Sequence, residues 1–207
     1  MRTERLLTIV LLLGLLLSCE PEGGHDVIPE EPTPEEPTPE EPTPEEPIFP
    51  ENPLSTLEGD IEVRFTADDS LSYADCFGNY YHTDSYMWGL YFQNYTSKEQ
   101  LYIEIMHADH LYEMPLGSYT ASDNINATGV LIKGGFDEDG YQAYSWYTRL
   151  GSEAQSGATA PIFDGSITIE ECGEELYKVT FDLIDDRGNK ITGTYEGRMV
   201  LEDFRIN

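Results

Sequence analysis

The residues of this chain best suited to chemistry begin with a short histidine-rich segment. His107-Ala108-Asp109-His110 places two imidazoles and a carboxylate within four residues, and His82 or Asp84 could add a further transition-metal ligand. Histidines in loops that hold no metal are far commoner, and this spacing is typical of no particular metal. We therefore predict no metal site and no cofactor.

Two acidic segments look at first like calcium-binding loops. Residues 137–140 read Asp-Glu-Asp-Gly, and residues 185–189 read Asp-Asp-Arg-Gly-Asn. Neither has the ligand spacing and the terminal glutamate of an EF-hand loop. Asp and Gly are also the residues that tight turns require, so we predict turns at both places. The sequence contains no serine-hydrolase, zinc-protease, P-loop or dinucleotide-binding motif, and a non-enzymatic protein is predicted.

Three aromatic residues are the candidate ligand contacts: Trp88, Tyr144 and Trp146. Tyr144 and Trp146 alternate along one segment, which would place both rings on the same face of a strand. Planar rings on a solvated sheet face commonly bind sugars, while carboxylates and amides take the sugar hydroxyls. The same rings would equally fill a small β-core, and the sequence leaves both interpretations open.

The chain has three cysteines, and each has a different context. Cys76 and Cys172 are an even pair in an exported protein, which makes them a candidate disulfide. Two free thiols are the alternative, because Cys76 lies in a loop-like segment and Cys172 at a predicted hairpin tip.

Cys19 follows a segment that predicts export. Arg2 and Arg5 precede an apolar run, Leu6–Leu17, that is too short to span a bilayer but suits a signal peptide, which we place at residues 1–18. Leu16-Leu17-Ser18-Cys19 resembles the bacterial lipobox, which implies cleavage before Cys19 and lipid attachment to its thiol. Two or more acyl chains would anchor the protein stably at a membrane. The alternative is an ordinary signal peptide in which Cys19 is incidental.

Residues 19–58 are predicted to form the lipidated terminus and a disordered stalk. Eleven of the 13 prolines lie here, and the pentapeptide Glu-Glu-Pro-Thr-Pro occurs three times between residues 30 and 44. Proline prevents both helix and sheet through such a stretch. A polyproline II spacer stretched by like-charged glutamates would reach on the order of 100 Å.

The charge balance excludes several classes of partner. The chain has 40 acidic and 11 basic residues, a net charge of −29, and from Gly59 onward 26 acidic residues still face nine basic ones. A domain with a net charge near −17 repels phosphate backbones and anionic headgroups, so we predict neither nucleic-acid binding nor electrostatic docking to a membrane.

Residues 59–207 are predicted to fold as one antiparallel β-domain. Apolar and polar residues alternate with a period of two, as in Tyr177, Val179, Phe181 and Leu183, and turn residues separate the runs. Such alternation means that one face of each strand is exposed to solvent, which favours antiparallel pairing. We expect an all-β fold, a sandwich or a flattened barrel of about 8 to 10 strands.

Three segments carry a resemblance to a known family. Residues 114–120 (MPLGSYT) look like an LPAGTYT motif, and residues 128–135 resemble the GTF…G pattern that follows it. Residues 161–197 resemble a segment that ends in YTITFDL…DDNGKKITGSYTG. Together they are similar to a recurrent β-domain of secreted and lipid-anchored proteins of the Bacteroidetes. The resemblance implies a β-fold and export, and it assigns no catalytic residue.

These patterns predict a non-enzymatic lipoprotein of the outer membrane, anchored through Cys19 and facing outside the cell. Its ligand and its oligomeric state are left open. Two alternatives remain: a glycan-binding accessory of a polysaccharide-uptake system, and a subunit of a surface assembly that would display an unpaired hydrophobic edge strand.

Overall fold

The computed structural model describes residues 47–205, apart from residues 67, 69, 109, 110 and 152–155. All regular structure in this part of the chain is β-strand, which confirms the predicted all-β fold. The predicted signal peptide, Cys19 and most of the predicted stalk lie outside the described residues.

In chain order the strands are β1 (Ile61–Thr66), β2 (Ser70–Gly78), β3 (Tyr86–Asn94), β4 (Glu99–His107), β5 (Gly117–Ser122), β6 (Val130–Ile132), β7 (Gly135–Phe136), β8 (Gln142–Ala143), β9 (Trp146–Arg149), β10 (Ala158–Gly173), β11 (Leu176–Asp185), β12 (Lys190–Gly197) and β13 (Val200–Asp203).

The described residues form 13 strands, more than the 8 to 10 expected from alternation. The difference comes from β6, β7, β8, β9 and β13, which are two to four residues long. A period of two cannot be recognised over so few residues, so these strands leave no pattern in the sequence.

Eleven strands share one sheet, in the order β1-β12-β11-β10-β5-β6-β4-β3-β2-β13, with β9 between β10 and β4. The 16-residue strand β10 makes this branching possible, because its first residues pair with β9 and its later residues pair with β5 and β11. Strands β10, β5, β6, β4 and β9 therefore close a ring between two wings, β11-β12-β1 and β3-β2-β13. β7 and β8 form a separate two-stranded sheet.

Nine strand pairs in the described ranges are antiparallel, as predicted. Three pairs are parallel: β1 with β12, β13 with β2, and β5 with β6. A parallel pair cannot be joined by a tight hairpin, and in each of these cases a longer stretch of chain separates the partners. The first strand, β1, thus pairs in parallel with β12 of the β11–β12 hairpin. The last strand, β13, pairs in parallel with β2 of the β2–β3 hairpin.

The core lies between the two wings, where four aromatic rings meet. Phe65 of β1 and Phe92 of β3 have ring centroids 5.7 Å apart, and Phe181 of β11 lies 5.1 Å from Phe92. Tyr195 of β12 adds a contact of 5.4 Å to Phe92. Burying each phenylalanine contributes roughly 1.5–3 kcal/mol, and each ring pair about 0.5–1.5 kcal/mol more. This cluster holds one wing against the other.

Residues 54–57, which we call the N-terminal strap, pack against the sheet although they were predicted to belong to the stalk. Ser55 and Leu57 are buried. The Thr56 amide donates to the Thr159 carbonyl of β10 over 2.8 Å, and the Thr159 amide donates to Thr56 Oγ1 over 2.9 Å. Hydrogen-bonded backbone therefore begins at Leu54, before the predicted boundary at residue 58. No alternation marks so short a segment.

The turn predicted at residues 185–189 is present and holds the N-terminal strap. Both carboxylates are buried, and Asp186 accepts the backbone amides of Leu54 and Ser55. Asp185 accepts the amides of Arg187 and Asn189, and it also accepts the Ser55 hydroxyl over 2.6 Å. Each of these four oxygens accepts at least one hydrogen bond from the chain itself, which is what a structural turn requires.

Gly165 marks a β-bulge in β10 that only glycine fits. The register with β11 shifts between Ile162 and Asp164, and Gly165 has a φ of +96°. A Cβ at this position would lie 2.1 Å from the carbonyl oxygen of Asp182 on β11. The backbones therefore approach too closely for any side chain.

We expect Gly165→Ala to destabilise the domain markedly more than Gly140→Ala. Both glycines have positive φ, so both variants incur left-handed strain of about 1–3 kcal/mol. Only the substitution at Gly165 also brings a Cβ into a clash with the backbone, because a Cβ at position 140 would meet nothing within 4 Å. We expect a further loss of about 1–3 kcal/mol for Gly165→Ala, measured as the free energy of unfolding in urea. Equal losses in the two variants would contradict this account of the bulge.

Candidate binding cleft

The candidate site lies on the outer face of β3, β4 and β9. Trp88, Leu90 and Phe92 of β3 point into the core, so the residues between them point outward. On β4 the inward residues are Leu101, Ile103 and Ile105, and on β9 the inward residue is Tyr147. The outward set is Met87, Gly89, Tyr91, Gln100, Tyr102, Glu104, Trp146 and Thr148.

All of these outward residues except Gly89 line a cleft of about 540 Å³. The segment before β3 closes one side with Tyr80 and Tyr81, and the segment before β9 closes another with Gln142 and Tyr144. Seven aromatic rings face the cleft: Phe77, Tyr80, Tyr81, Tyr91, Tyr102, Tyr144 and Trp146. A ligand of several rings or sugar units has room to enter.

Two of the three predicted ligand contacts meet in this cleft. Trp146 is only 5% exposed, and its indole Nε1 donates to the carbonyls of Gly135 (3.0 Å) and Ala143 (2.8 Å). Tyr144 is half-buried and has a φ of +67°, so the chain bends sharply just before β9. The indole bonds fix the ring, so that Trp146 presents a rigid surface to the cleft.

The prediction for Trp88 is wrong. Its side chain is fully buried among the core residues, where it stacks on Tyr112 at a centroid distance of 6.1 Å. The sequence did contain the signal for this, because Trp88 shares one face with Leu90 and Phe92. A residue that alternates in phase with two apolar neighbours belongs to the buried face.

A buried carboxylate that the sequence patterns did not indicate, Glu104, lines the cleft. Glu104 is 7% exposed, and its Oε2 accepts the Tyr81 hydroxyl over 2.8 Å. Its Oε1 accepts the Tyr102 hydroxyl over 3.3 Å. Burial raises the pKa of Glu104, and the two hydroxyl bonds act in the opposite direction. Burial also raises the pKa of Tyr81 and of Tyr102, and the charge of Glu104 raises both further.

Gly89 makes room for this arrangement. It pairs with Glu104 in the register of β3 and β4, and a Cβ on it would lie 2.8 Å from the Tyr102 hydroxyl and 3.3 Å from the Phe77 ring. Tyr102 thus lies across a strand position that has no side chain. The sequence signal for this arrangement was Tyr102 itself, a large aromatic residue at an outward position of β4. Such a residue indicates that the outer face of the strand is partly covered.

A second carboxyl, Asp75, lies on the opposite side of Gly89 in β2. Its neighbour on β13 is Glu202, so two acidic residues are paired across the strands. Burial and then the Glu202 charge raise the pKa of Asp75 to about 6. Its Oδ1 is buried without a hydrogen-bond partner among the described residues. The Asp75 carboxylate is therefore poorly solvated and close to a like charge.

The cleft has acidic character. Glu104 and Asp137 line it, and none of its described lining residues is Lys, Arg or His. With a domain charge near −17, the surroundings reinforce this sign. The geometry can therefore hold flat apolar surfaces and hydrogen-bonding groups, while it disfavours anions.

The predicted disulfide is absent. Cys76 is buried on β2, and Cys172 is exposed at the end of β10, and both thiols are free. Cys76 points into the core from β2, whereas Cys172 lies at the β10–β11 hairpin, as predicted, with its thiol next to the Leu176 carbonyl at 3.5 Å. The two strands lie far apart in the sheet order.

The histidine-rich segment forms no metal-binding group in the part of the chain that the structure describes. The Nδ1 of His107 lies 2.6 Å from the Tyr119 hydroxyl, which also donates to the Pro115 carbonyl. Asp109 and His110 lie outside the described residues. His82 is exposed on the segment before β3 and has a φ of +56°.

Comparisons with models of protein families, with curated protein sequences and with solved structures find no match to this chain. Within the described ranges, no helix has the length and apolarity needed to cross a bilayer.

We expect Asp75→Asn to stabilise the protein at neutral pH and not at acidic pH. The folded-state pKa of Asp75 is raised to about 6 from 3.8, so the folded protein binds more protons than the unfolded chain between these values. Stability attributable to Asp75 therefore falls as the pH rises from 3.8 to about 6, and the asparagine variant removes that fall.

The measurement is the urea midpoint of both proteins below pH 3.8 and above pH 6. Glu202→Gln should reproduce part of the gain, since it removes the neighbouring charge. Glu170→Gln, at an exposed position of β10, controls for the smaller net charge. A gain that is equally large under acidic conditions, or that Glu170→Gln matches, would argue against this role of Asp75.

Proposed function

We propose that this protein is a non-enzymatic lipoprotein of the outer membrane, anchored through Cys19 and facing outside the cell. The lipobox-like sequence at residues 16–19 and the proline-rich, acidic segment after it support this proposal. A long stiff spacer is useful where a domain must act at a distance from its anchor.

We propose further that the β-domain binds a saccharide in the cleft. The observation that carries this proposal is the set of seven aromatic rings around one buried carboxylate, Glu104. Sugar rings present C–H faces that pack on aromatic rings, and their hydroxyls bond to carboxylates and amides. Gln100, Gln142 and Thr148 supply such polar groups at the cleft wall. Binding sites in general combine apolar walls with a few convergent polar groups in this way.

The charge of the cleft narrows the class of saccharide. A carboxylated or sulfated sugar would bring an anion next to Glu104 and Asp137, with no described basic residue in the lining to compensate. Burying an unpaired charge of the same sign is unfavourable. We therefore propose an uncharged or cationic glycan.

Edge strand β1 of the main sheet gives less support to a role as an assembly subunit. Edge strand β1 carries Glu62 and Arg64 as an exposed ion pair of 2.9 Å. Charged side chains on an edge strand are a common way to prevent pairing between molecules.

Removing rings from the cleft should weaken saccharide binding. We expect Tyr80→Ala and Trp146→Ala each to reduce affinity about tenfold or more, because ring contacts in a desolvated site contribute at least 1–2 kcal/mol. The measurement is a glycan-array screen followed by calorimetric titration of the best ligand with each folded variant.

Tyr95→Ala is the matched control, since Tyr95 is exposed on the β3–β4 turn and does not line the cleft. Tyr80 is also largely exposed, so its loss should leave the fold intact. An array on which the protein binds no saccharide, or equal losses in all three variants, would refute the proposed binding site.

Cys19→Ala should abolish lipid attachment. Without acyl chains the protein loses the burial of about 0.8 kcal/mol per methylene that holds it at the membrane. We expect the acyl mass to disappear from the protein. Protease treatment of whole cells tests the orientation, since a surface-facing domain of the unmodified protein is cleaved while periplasmic markers survive. A native protein without acyl mass would disprove the anchor.

A further inference from the structure

We propose that the cleft selects a saccharide that bears a protonated amine, and that Glu104 is the countercharge for this amine. This inference rests on the proposed saccharide-binding function and names the class of sugar.

The carboxylate of Glu104 lacks a cationic partner in the described part of the chain. Its contacts are two neutral hydroxyls, those of Tyr81 and Tyr102. The ion pairs among the described residues lie elsewhere: Arg64–Glu62, Lys133–Asp123, Arg198–Glu175 and Arg205–Asp203. Buried carboxylates are normally paired with a cation or with several donors, so Glu104 has capacity for one more charged donor.

The walls of the cleft favour a cation over a neutral group. The negative faces of Tyr and Trp rings attract ammonium ions, and the attraction grows when water is excluded. Six of the seven rings here are Tyr or Trp. The other charged residue that lines the cleft is Asp137, and Asp75 lies beyond Gly89 in the same row of the sheet, so these neighbouring charges are also negative. The rings and the carboxylates of the cleft would thus both attract an ammonium group.

The size and polarity of the cleft favour an amine carried on a sugar over a small free ammonium ion. A volume of about 540 Å³ is far larger than one ammonium group needs. Gln100, Gln142 and Thr148 line the cleft and can form hydrogen bonds with the hydroxyls of a sugar, which a free ammonium ion does not have. An oligosaccharide of amino sugars supplies the charge, the C–H faces and the hydroxyls together.

The test compares two trisaccharides that differ only in acetylation. The full chain, purified in detergent, is titrated calorimetrically with a glucosamine trimer and with its N-acetylated form, at a pH where the free amines are protonated. We expect the amine form to bind at least about tenfold more tightly, a difference of about 1.4 kcal/mol. Added salt should reduce this preference, because it screens the charge contribution.

Glu104→Gln should abolish the preference and leave the weaker binding of the acetylated trimer. Glu170→Gln, an exposed glutamate on β10, should keep the preference and serves as the matched control. Because the two ligands are compared on the unmodified protein, the test holds even if Glu104→Gln fails to fold.

The outcomes separate the inference from the function on which it rests. Equal affinities for the two trimers, or tighter binding of the acetylated one, would overturn the amine inference and leave saccharide binding in place. Binding of tetramethylammonium by the protein without binding of either trimer or of any arrayed glycan would overturn both proposals, because the cleft would then be an ammonium site alone. A preference that Glu104→Gln keeps would show that another group is the countercharge.

Discussion

The register between β3 and β4 is the constraint on which the cleft depends. Nine consecutive pairs run from Tyr86 and His107 to Asn94 and Glu99 without a shift. A slip of one residue would turn every side chain of one strand to the opposite face. It would bring Glu104 into the core and move the core residues Ile103 and Ile105 to the cleft. The aromatic cluster of Phe65, Phe92 and Phe181 fixes the correct phase, because Phe92 has partners only on the inner side. The packing of the core thus decides the chemistry of the outer face.

The outer face is stabilised differently from the core. Hydroxyl donors from Tyr81 and Tyr102 offset part of the desolvation of Glu104, and Gly89 provides the space for Tyr102. Two neutral bonds do not replace full hydration of a carboxylate, and the raised pKa of Glu104 reflects the remainder. Such a group is held in place at a cost in stability. Functional sites commonly have this property, because a ligand recovers what the fold gives up.

The sequence predicts those parts of the molecule that local patterns encode. The β11 strand, with Val179, Phe181 and Leu183 buried, and the turn at residues 185–189 both follow from alternation and turn residues. The burial of Glu104 has no local signal, since Tyr81, whose hydroxyl it accepts, is 23 residues away in sequence. Trp88 alternates in phase with Leu90 and Phe92, so its burial could have been predicted from the sequence. The packing of the two wings against each other has no such local pattern.

The N-terminal strap has a mechanical consequence. It precedes β1, so a pull on the domain from its N-terminal side reaches Ser55 and Thr56 before it reaches β1. The hydrogen bonds of Ser55 with Asp186 and of Thr56 with Thr159 would resist this pull together. Edge strand β1 would otherwise peel from β12 one hydrogen bond at a time. The strap therefore protects the pairing of β1 with β12 from a force applied at the N-terminal side of the domain.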